Sequence, residues 1–243
     1  MRLSGKTALI TGGGTGIGEA IALEFARQGC RVGIAGRREE PLRAAAARHA
    51  EEPRIAWCAA DVADRGSCER LFDWAERELG PIHILINSAG VNIIKRTMAE
   101  LSPEDWDLLM AVNVTGAFHC MRLALPQMRE RRDGLIVNIS SIAGKRASVL
   151  GGVAYSASKF AMTALGGTVA LEEARHGIRV TTVFPGEVET PILERRPVPV
   201  TAEHRARILQ PEDVAAAVLM IAQLPPRAHV PELILKPTTQ DYA

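Results

Sequence analysis

Short, almost continuously apolar runs alternate with longer helix-forming stretches along the whole of this chain. The runs Thr7–Ile10, Val32–Ala35, Ile55–Cys58, Ile82–Ile86, Leu135–Ile139, Ile178–Val183 and Glu232–Leu235 read as strands. Helical spacing predicts helices over Ile17–Gln28, Pro41–His49, Arg65–Leu79, Pro103–Val112, Gly116–Arg131, Tyr155–Arg175 and Pro211–Leu224. A strand wetted on one face alternates apolar and polar residues. A strand apolar throughout is covered on both faces, which is the signature of a parallel sheet. Joined by right-handed crossovers, about seven such strands give a doubly wound, mostly parallel α/β sheet with helices on both faces. With 243 residues and no internal repeat, residues 1–243 read as one domain. The irregular stretch is Pro185–Thr201, rich in proline, and residues 185–207 are a candidate substrate loop.

Composition excludes several functions. The formal net charge is +1, so no nucleic-acid or membrane-surface footprint is expected. The six histidines form no HxxxH or HExxH pair, and no metal site is expected. Cys30, Cys58, Cys68 and Cys120 lack CxxC spacing and read as reduced, mostly buried thiols of a cytoplasmic protein. Met1–Gly5 leads directly into the first strand, so no secretory signal is expected. The longest apolar run, Val214–Ala222, is too short to span a bilayer.

The first strand runs into Thr11-Gly12-Gly13-Gly14-Thr15-Gly16-Ile17-Gly18 and then a helix. Gly12 permits a tight turn, while Gly16 and Gly18 allow close approach of a pyrophosphate and of the helix to the strand. Free N–H groups at that helix start suit phosphate. The second strand ends in Ala35-Gly36-Arg37-Arg38. An Asp or Glu there would select NAD through the ribose 2′-hydroxyl. Its absence, with Arg37 and Arg38 following, favours the 2′-phosphate of NADP, and NAD is the alternative.

Tyr155 and Lys159 are four residues apart at the start of a helix and share a face. An ammonium beside a phenol favours the phenolate, which suits Tyr155 to acid–base work. Ser140 and Ser141 close the fifth strand, at the end where open α/β sheets bind ligands. With these motifs in this order, the chain resembles the short-chain dehydrogenase/reductase family, in its single-domain branch, over nearly its whole length. The resemblance implies a Rossmann-like fold and selects Ser141 over Ser140, since Ser140-Ser141-x-x-Gly144 matches the family pattern.

The resemblance also assigns further residues. Asp61 and Val62 match an adenine-contacting pair, and Asn87-Ser88-Ala89-Gly90 matches an Asn-Asn-Ala-Gly motif with Ser88 in place of the second Asn. In Pro185-Gly186-Glu187-Val188-Glu189-Thr190, Val188 and Thr190 correspond to nicotinamide amide contacts. Asn113 would hold water beside Lys159, with a helix cap at a kink as the plainer alternative. Lys159 would hold the nicotinamide ribose and bias Tyr155 toward phenolate. The implied activity is interconversion of a carbonyl and a secondary alcohol.

Two alternatives stay open: a 3-oxoacyl carrier-protein reductase, which needs a basic docking surface, and a nucleotide-sensing protein that lost its chemistry. Lys95, Arg96, Lys145, Arg146, Arg195 and Arg196 border the substrate region and read as solvated loop charge, with an acidic substrate as the other reading. The C-terminal segment Pro231–Pro237 lacks the usual Asp-Gly-Gly and is similar to the branch acting on serine and small 3-hydroxy acids. Tyr155–Arg175 and Val114–Pro126 are apolar on nearly every side, which predicts deep burial and a homodimer or homotetramer built on these helices.

Overall fold

The computed structural model describes residues 3–240. Seven parallel strands form one sheet in the order β3-β2-β1-β4-β5-β6-β7. They are β1 Thr7–Thr11, β2 Arg31–Gly36, β3 Ala56–Ala59, β4 Ile84–Asn87, β5 Gly134–Ile139, β6 Ile178–Pro185 and β7 Glu232–Leu235. The helices are α1 Gly16–Arg27, α2 Glu39–Ala47, α3 Arg65–Leu79, α4 Pro103–Met110, α5 Gly116–Arg131, α6 Val153–Glu173, α7 Ala202–Arg205 and α8 Pro211–Gln223.

The unbroken apolar strands are explained by the two cores. Successive strand residues point to opposite faces. Ala8, Ile10, Ile84, Ile86, Leu135, Val137 and Ile139 join the core under α1, α2 and α8. Their neighbours Leu9, Leu85 and Ile136 join the core under α3, α5 and α6. A polar residue at any of these positions would lie under a helix.

The chain departs from the sequence reading in three places. The predicted helices either side of residue 113 are one continuous rod, joined by a π-helical turn at Ala111–Thr115. Such turns insert one residue into the helical ladder and cluster at functional sites. The segment 185–207 is partly ordered, with a 3₁₀ turn at Pro191–Arg195 and the short α7. And α6 begins two residues before Tyr155, so Tyr155 stands in its first turn.

The chain itself covers only one face of α6. Met162 and Gly166 face the sheet, but Phe160, Ala164, Gly167, Thr168 and Leu171 are exposed, as is Phe118 on α5. Gly166 is close enough to the sheet that a Cβ there would sit 2.7 Å from the Asn138 Nδ2. The outer face of α6 therefore has no cover within the chain. Residues 103–131 are the one helical stretch among the described residues long and apolar enough to cross a bilayer. Half of its apolar window is buried inside the chain, against α3 and α6, as befits a core helix.

Candidate active site

Every strand presents its carboxyl end to the same edge of the sheet. The loops leaving β1, β2, β3 and β4 there enclose a cavity of about 160 Å³. Gly12, Gly14, Thr15, Arg37, Arg38, Asp61, Val62, Ala89 and Gly90 line it, which unites residues predicted from four separate loops. Gly12 has φ +67° and lies so near the β4 loop that a Cβ would fall 2.8 Å from Ala89. A Cβ on Gly18 would fall 2.4 Å from the Gly12 carbonyl, so the start of α1 tolerates no side chain there. Gly16, at φ +57°, and the neighbouring Ile17 open α1, where Thr190 of the β6 loop closes over Gly16. Arg37 and Arg38 are exposed and make no hydrogen bond or ion pair with the described residues.

Thr11 went unread in the sequence, where a threonine ending a strand carries no signal. Its hydroxyl accepts from Ser88 N–H and Ala89 N–H, both at 3.2 Å, and so fixes the β4 loop. Asn87 lies behind this wall, fully buried, and donates to Asn138 on β5 at 2.9 Å. Asp61 closes its own turn by accepting from Ala63 N–H. On the β6 side, Pro185 and Val188 are buried, and Gly186 N–H bonds the Leu235 carbonyl at 2.7 Å.

Asn113 sits at the centre of the π-helical turn and is wholly buried. Its Oδ1 accepts from Val91 N–H at 2.8 Å, and its Nδ2 donates to the Val91 carbonyl and to Ser158 Oγ. Its polar atoms are engaged in pinning the loop after β4 against α6.

The two serines are told apart by their partners. Ser140 is buried and bonds the Lys159 carbonyl and Thr163. Ser141 accepts from Ala143 N–H at 3.1 Å, and its side chain is near enough to the Tyr155 phenol to lower that group's pKa. Gly144 allows this packing, since a Cβ would meet Ser140 Oγ at 2.5 Å. Lys159 is buried, and its ammonium donates to the Ile139 carbonyl at 2.9 Å. Burial lowers its pKa to about 8.

Burial raises the Tyr155 pKa above its ordinary value, while Ser141 and the charge of Arg96 oppose that rise. The Lys159 ammonium lies 5.6 Å from the phenol ring centroid and is committed to Ile139. Ser141 and Arg96 only offset part of the effect of burial on Tyr155. Arg96 corrects the reading of solvated loop charge: it is 6% exposed. Lys145 is likewise engaged, in an ion pair with Glu232. Among the described residues no group of three or more His, Cys, Asp or Glu side chains is placed to hold a metal.

The sequence profile of the short chain dehydrogenases matches residues 6–198. The chain belongs to the short-chain dehydrogenase family. Glycine betaine reductase ATRR of Emericella nidulans is 36% identical over 241 residues, 97% of this chain, which spans only 19% of that protein. An uncharacterized oxidoreductase of Staphylococcus aureus is 32% identical over 97% of this chain and 98% of its own length. Among solved structures, the closed form of serine dehydrogenase with NADP+ superposes with a TM-score of 0.89 at 30% identity. That match covers 98% of this chain and 97% of the other. The chain is thus an oxidoreductase by family.

The burial of Lys159 makes a measurable claim about pH. Its folded pKa of about 8 lies below the ordinary 10.5. Between these values the unfolded chain binds more protons, so this group adds stability as pH rises. Cys30, pushed up to about 12 by burial, acts with the opposite sign above pH 9. The difference between the parent and Lys159→Met removes the common terms. The variant is expected to be the more stable below pH 8, and its advantage should shrink toward pH 10.5 in urea titrations. A gap that stays constant with pH would mean that the lysine keeps its ordinary pKa.

Proposed function

We propose that this protein is an NADP-dependent oxidoreductase that interconverts a carbonyl and a secondary alcohol, with Ser141, Tyr155 and Lys159 as its reacting site. The observation that carries the reading is the meeting of Ser141, at the end of β5, with Tyr155, at the start of α6, and the buried Lys159 one helical turn along. A phenol, a hydroxyl and an ammonium gathered this way have no packing purpose that apolar residues would not serve better.

The residues fit the cofactor. The bare backbone of Gly12, Gly16 and Gly18 leaves room for a pyrophosphate at the start of α1. Arg37 and Arg38, unpaired at the cavity mouth, suit a 2′-phosphate. Asp61 and Val62 would flank the adenine, Asn87, Ala89 and Gly90 the ribose side, and Pro185, Gly186, Val188 and Thr190 the nicotinamide end. When bound, NADP supplies or accepts the hydride at the carbonyl carbon.

The protein's part is proton transfer and charge stabilisation. In oxidation, the Tyr155 phenolate takes the alcohol proton as the C–H bond gives up its hydride and the carbonyl forms. In reduction the phenol returns that proton to oxygen. Ser141 donates to the same oxygen as negative charge develops on it. Lys159 offers its remaining protons to the cofactor's ribose hydroxyls. Asn113 acts through Val91, holding the floor of the site.

We also propose that the open face of α5 and α6 is covered by a second copy in a homodimer or homotetramer. Phe118, Phe160 and Leu171 are otherwise large apolar groups left in water. Light scattering at micromolar concentration should give at least a dimer, and Thr168→Glu should lower that mass. A monomeric parent protein removes this part of the reading.

Tyr155→Phe is expected to bind NADPH as the parent does and to lose at least about a thousandfold in kcat, in the range of general acid–base effects. Activity near the parental level would transfer the proton role to another group. Arg37→Ala should weaken NADPH by roughly tenfold or more, the scale of a charge-assisted hydrogen bond, and leave NADH nearly unchanged. Fluorescence titration of both cofactors reads this directly. Equal losses would remove Arg37 from the phosphate site.

A further inference from the structure

A second cleft, of about 410 Å³, is walled by Arg96, Leu150, Arg196, Val198 and His204, and the charge of Arg96 reaches the Tyr155 phenol. Arg96 is buried, yet no carboxylate lies within ion-pair distance among the described residues. Its two terminal nitrogens donate to backbone carbonyls, of Leu150 at 2.8 Å and of Arg195. Its Nε is buried without any partner. Arg196 is the nearest like charge, and it acts with burial to push the Arg96 pKa down. One acid, Glu187, serves both Arg196, at 3.1 Å, and His204. Arg196 and His204 therefore share a single carboxylate and Arg96 has none, in a cleft otherwise lined by Val149, Leu150, Val198, Val200, two prolines and two threonines. A buried cation of this kind is costly unless an anion meets it.

We propose that this cleft receives the carboxylate of the substrate, so that the reacting molecule is a hydroxy or oxo acid with a small apolar body. The net charge of the arginine pair and Glu187 is +1, which matches a monoanion. The planar guanidinium of Arg96, held by two carbonyls, keeps donors for a carboxylate oxygen. Placement ties the cleft to the chemistry. The Arg96 carbonyl accepts from the N–H of Val153, the first residue of α6, two positions before Tyr155. The apolar remainder of the cleft suits a short hydrocarbon segment and offers little to a polar one. The proposal rests on the reading of Ser141 and Tyr155 as the reacting groups, and its test separates the two.

The test compares 3-hydroxybutyrate with its methyl ester, as the ratio of their kcat/KM values with NADP+. The parent should prefer the acid by about tenfold or more, as expected of one charge-assisted contact. That ratio should fall to near one in Arg96→Met and to an intermediate value in Arg96→Lys and Arg196→Gln. A parental ratio near one, or a ratio unmoved by all three variants, overturns the proposal while leaving the oxidoreductase reading intact. Should Arg96→Met fail to fold in a melting curve, the other two variants decide. If neither compound is oxidised, calorimetry of sodium butyrate with the NADP-saturated protein decides instead. Saturable binding lost in Arg96→Lys and Arg196→Gln supports the carboxylate site, and no binding to the parent overturns it.

Discussion

The reversal of strand order at β1 is the constraint from which the site follows. From β1 the chain winds outward through β2 and β3, then returns to lay β4 on the other side of β1. The loops after β1 and β4 must part there, because their helices lie on opposite faces of the sheet. The crevice between them is a consequence of topology. Its floor is held by side chains that end strands: Thr11 bonds the β4 loop, and Asn87 bonds Asn138 across to β5. Parallel register then sets Asn87, Asn138 and Thr182 in a row across three strands. The sheet thus carries a polar line just before its carboxyl edge, where the apolar cores stop.

That edge concentrates groups that resist burial. Lys159, Tyr155 and Arg96 are carried into it by packing that other residues secure. The small side chains of α6 let the helix lie close to β5, and the ammonium of Lys159 reaches the carbonyl of Ile139 as a result. Burial favours the neutral forms of both Lys159 and Tyr155. Lys159 therefore holds its proton less firmly than it would in water, and Tyr155 more firmly. An anion entering here changes that balance, because it brings charge into a region of low polarity.

Much of this was legible in the sequence, for reasons that particular residues make plain. Unbroken apolar strands declared a covered parallel sheet, and the glycines of 12–18 declared a helix start without side chains. Those signals are local, and local signals survive in one dimension. What could not be read was which partner each polar group finds. Asn113 sits in a stretch with good helical spacing, and nothing in that spacing reports the extra residue of a π-helical turn or its bonds to Val91. Thr11 is one more threonine at a strand end. Arg96 stands beside Lys95 in a polar loop, and burial separates them only once the β4 and β6 loops fold together. Spacing along α6 gives Lys159 as a neighbour of Tyr155 but does not report Arg96, whose charge reaches the phenol from 59 positions away.

The C-terminal segment shows how a departure from family pattern is absorbed. After β7, Lys236 bonds the Gln240 carbonyl, and the Gln240 side chain accepts from Glu187 N–H at 3.0 Å. A Cβ on Gly186 would collide with that same side chain, at 2.3 Å from its oxygen. The tail therefore grips the loop that leaves β6 at its first two residues. Glu187 is also the acid that balances Arg196 and His204. One short segment thereby connects Gln240 to the loop leaving β6 and to the cationic cleft. Residues 185–207 are long enough to be loose, yet they are held at their start by Gln240 and further on by Arg205, which bonds both Glu189 and Glu194. Tethered at these points, the loop keeps Arg196 beside Arg96 without a core of its own. The like charges repel, and the tethers resist that repulsion. The tethers thus hold a cleft cationic against its own electrostatics.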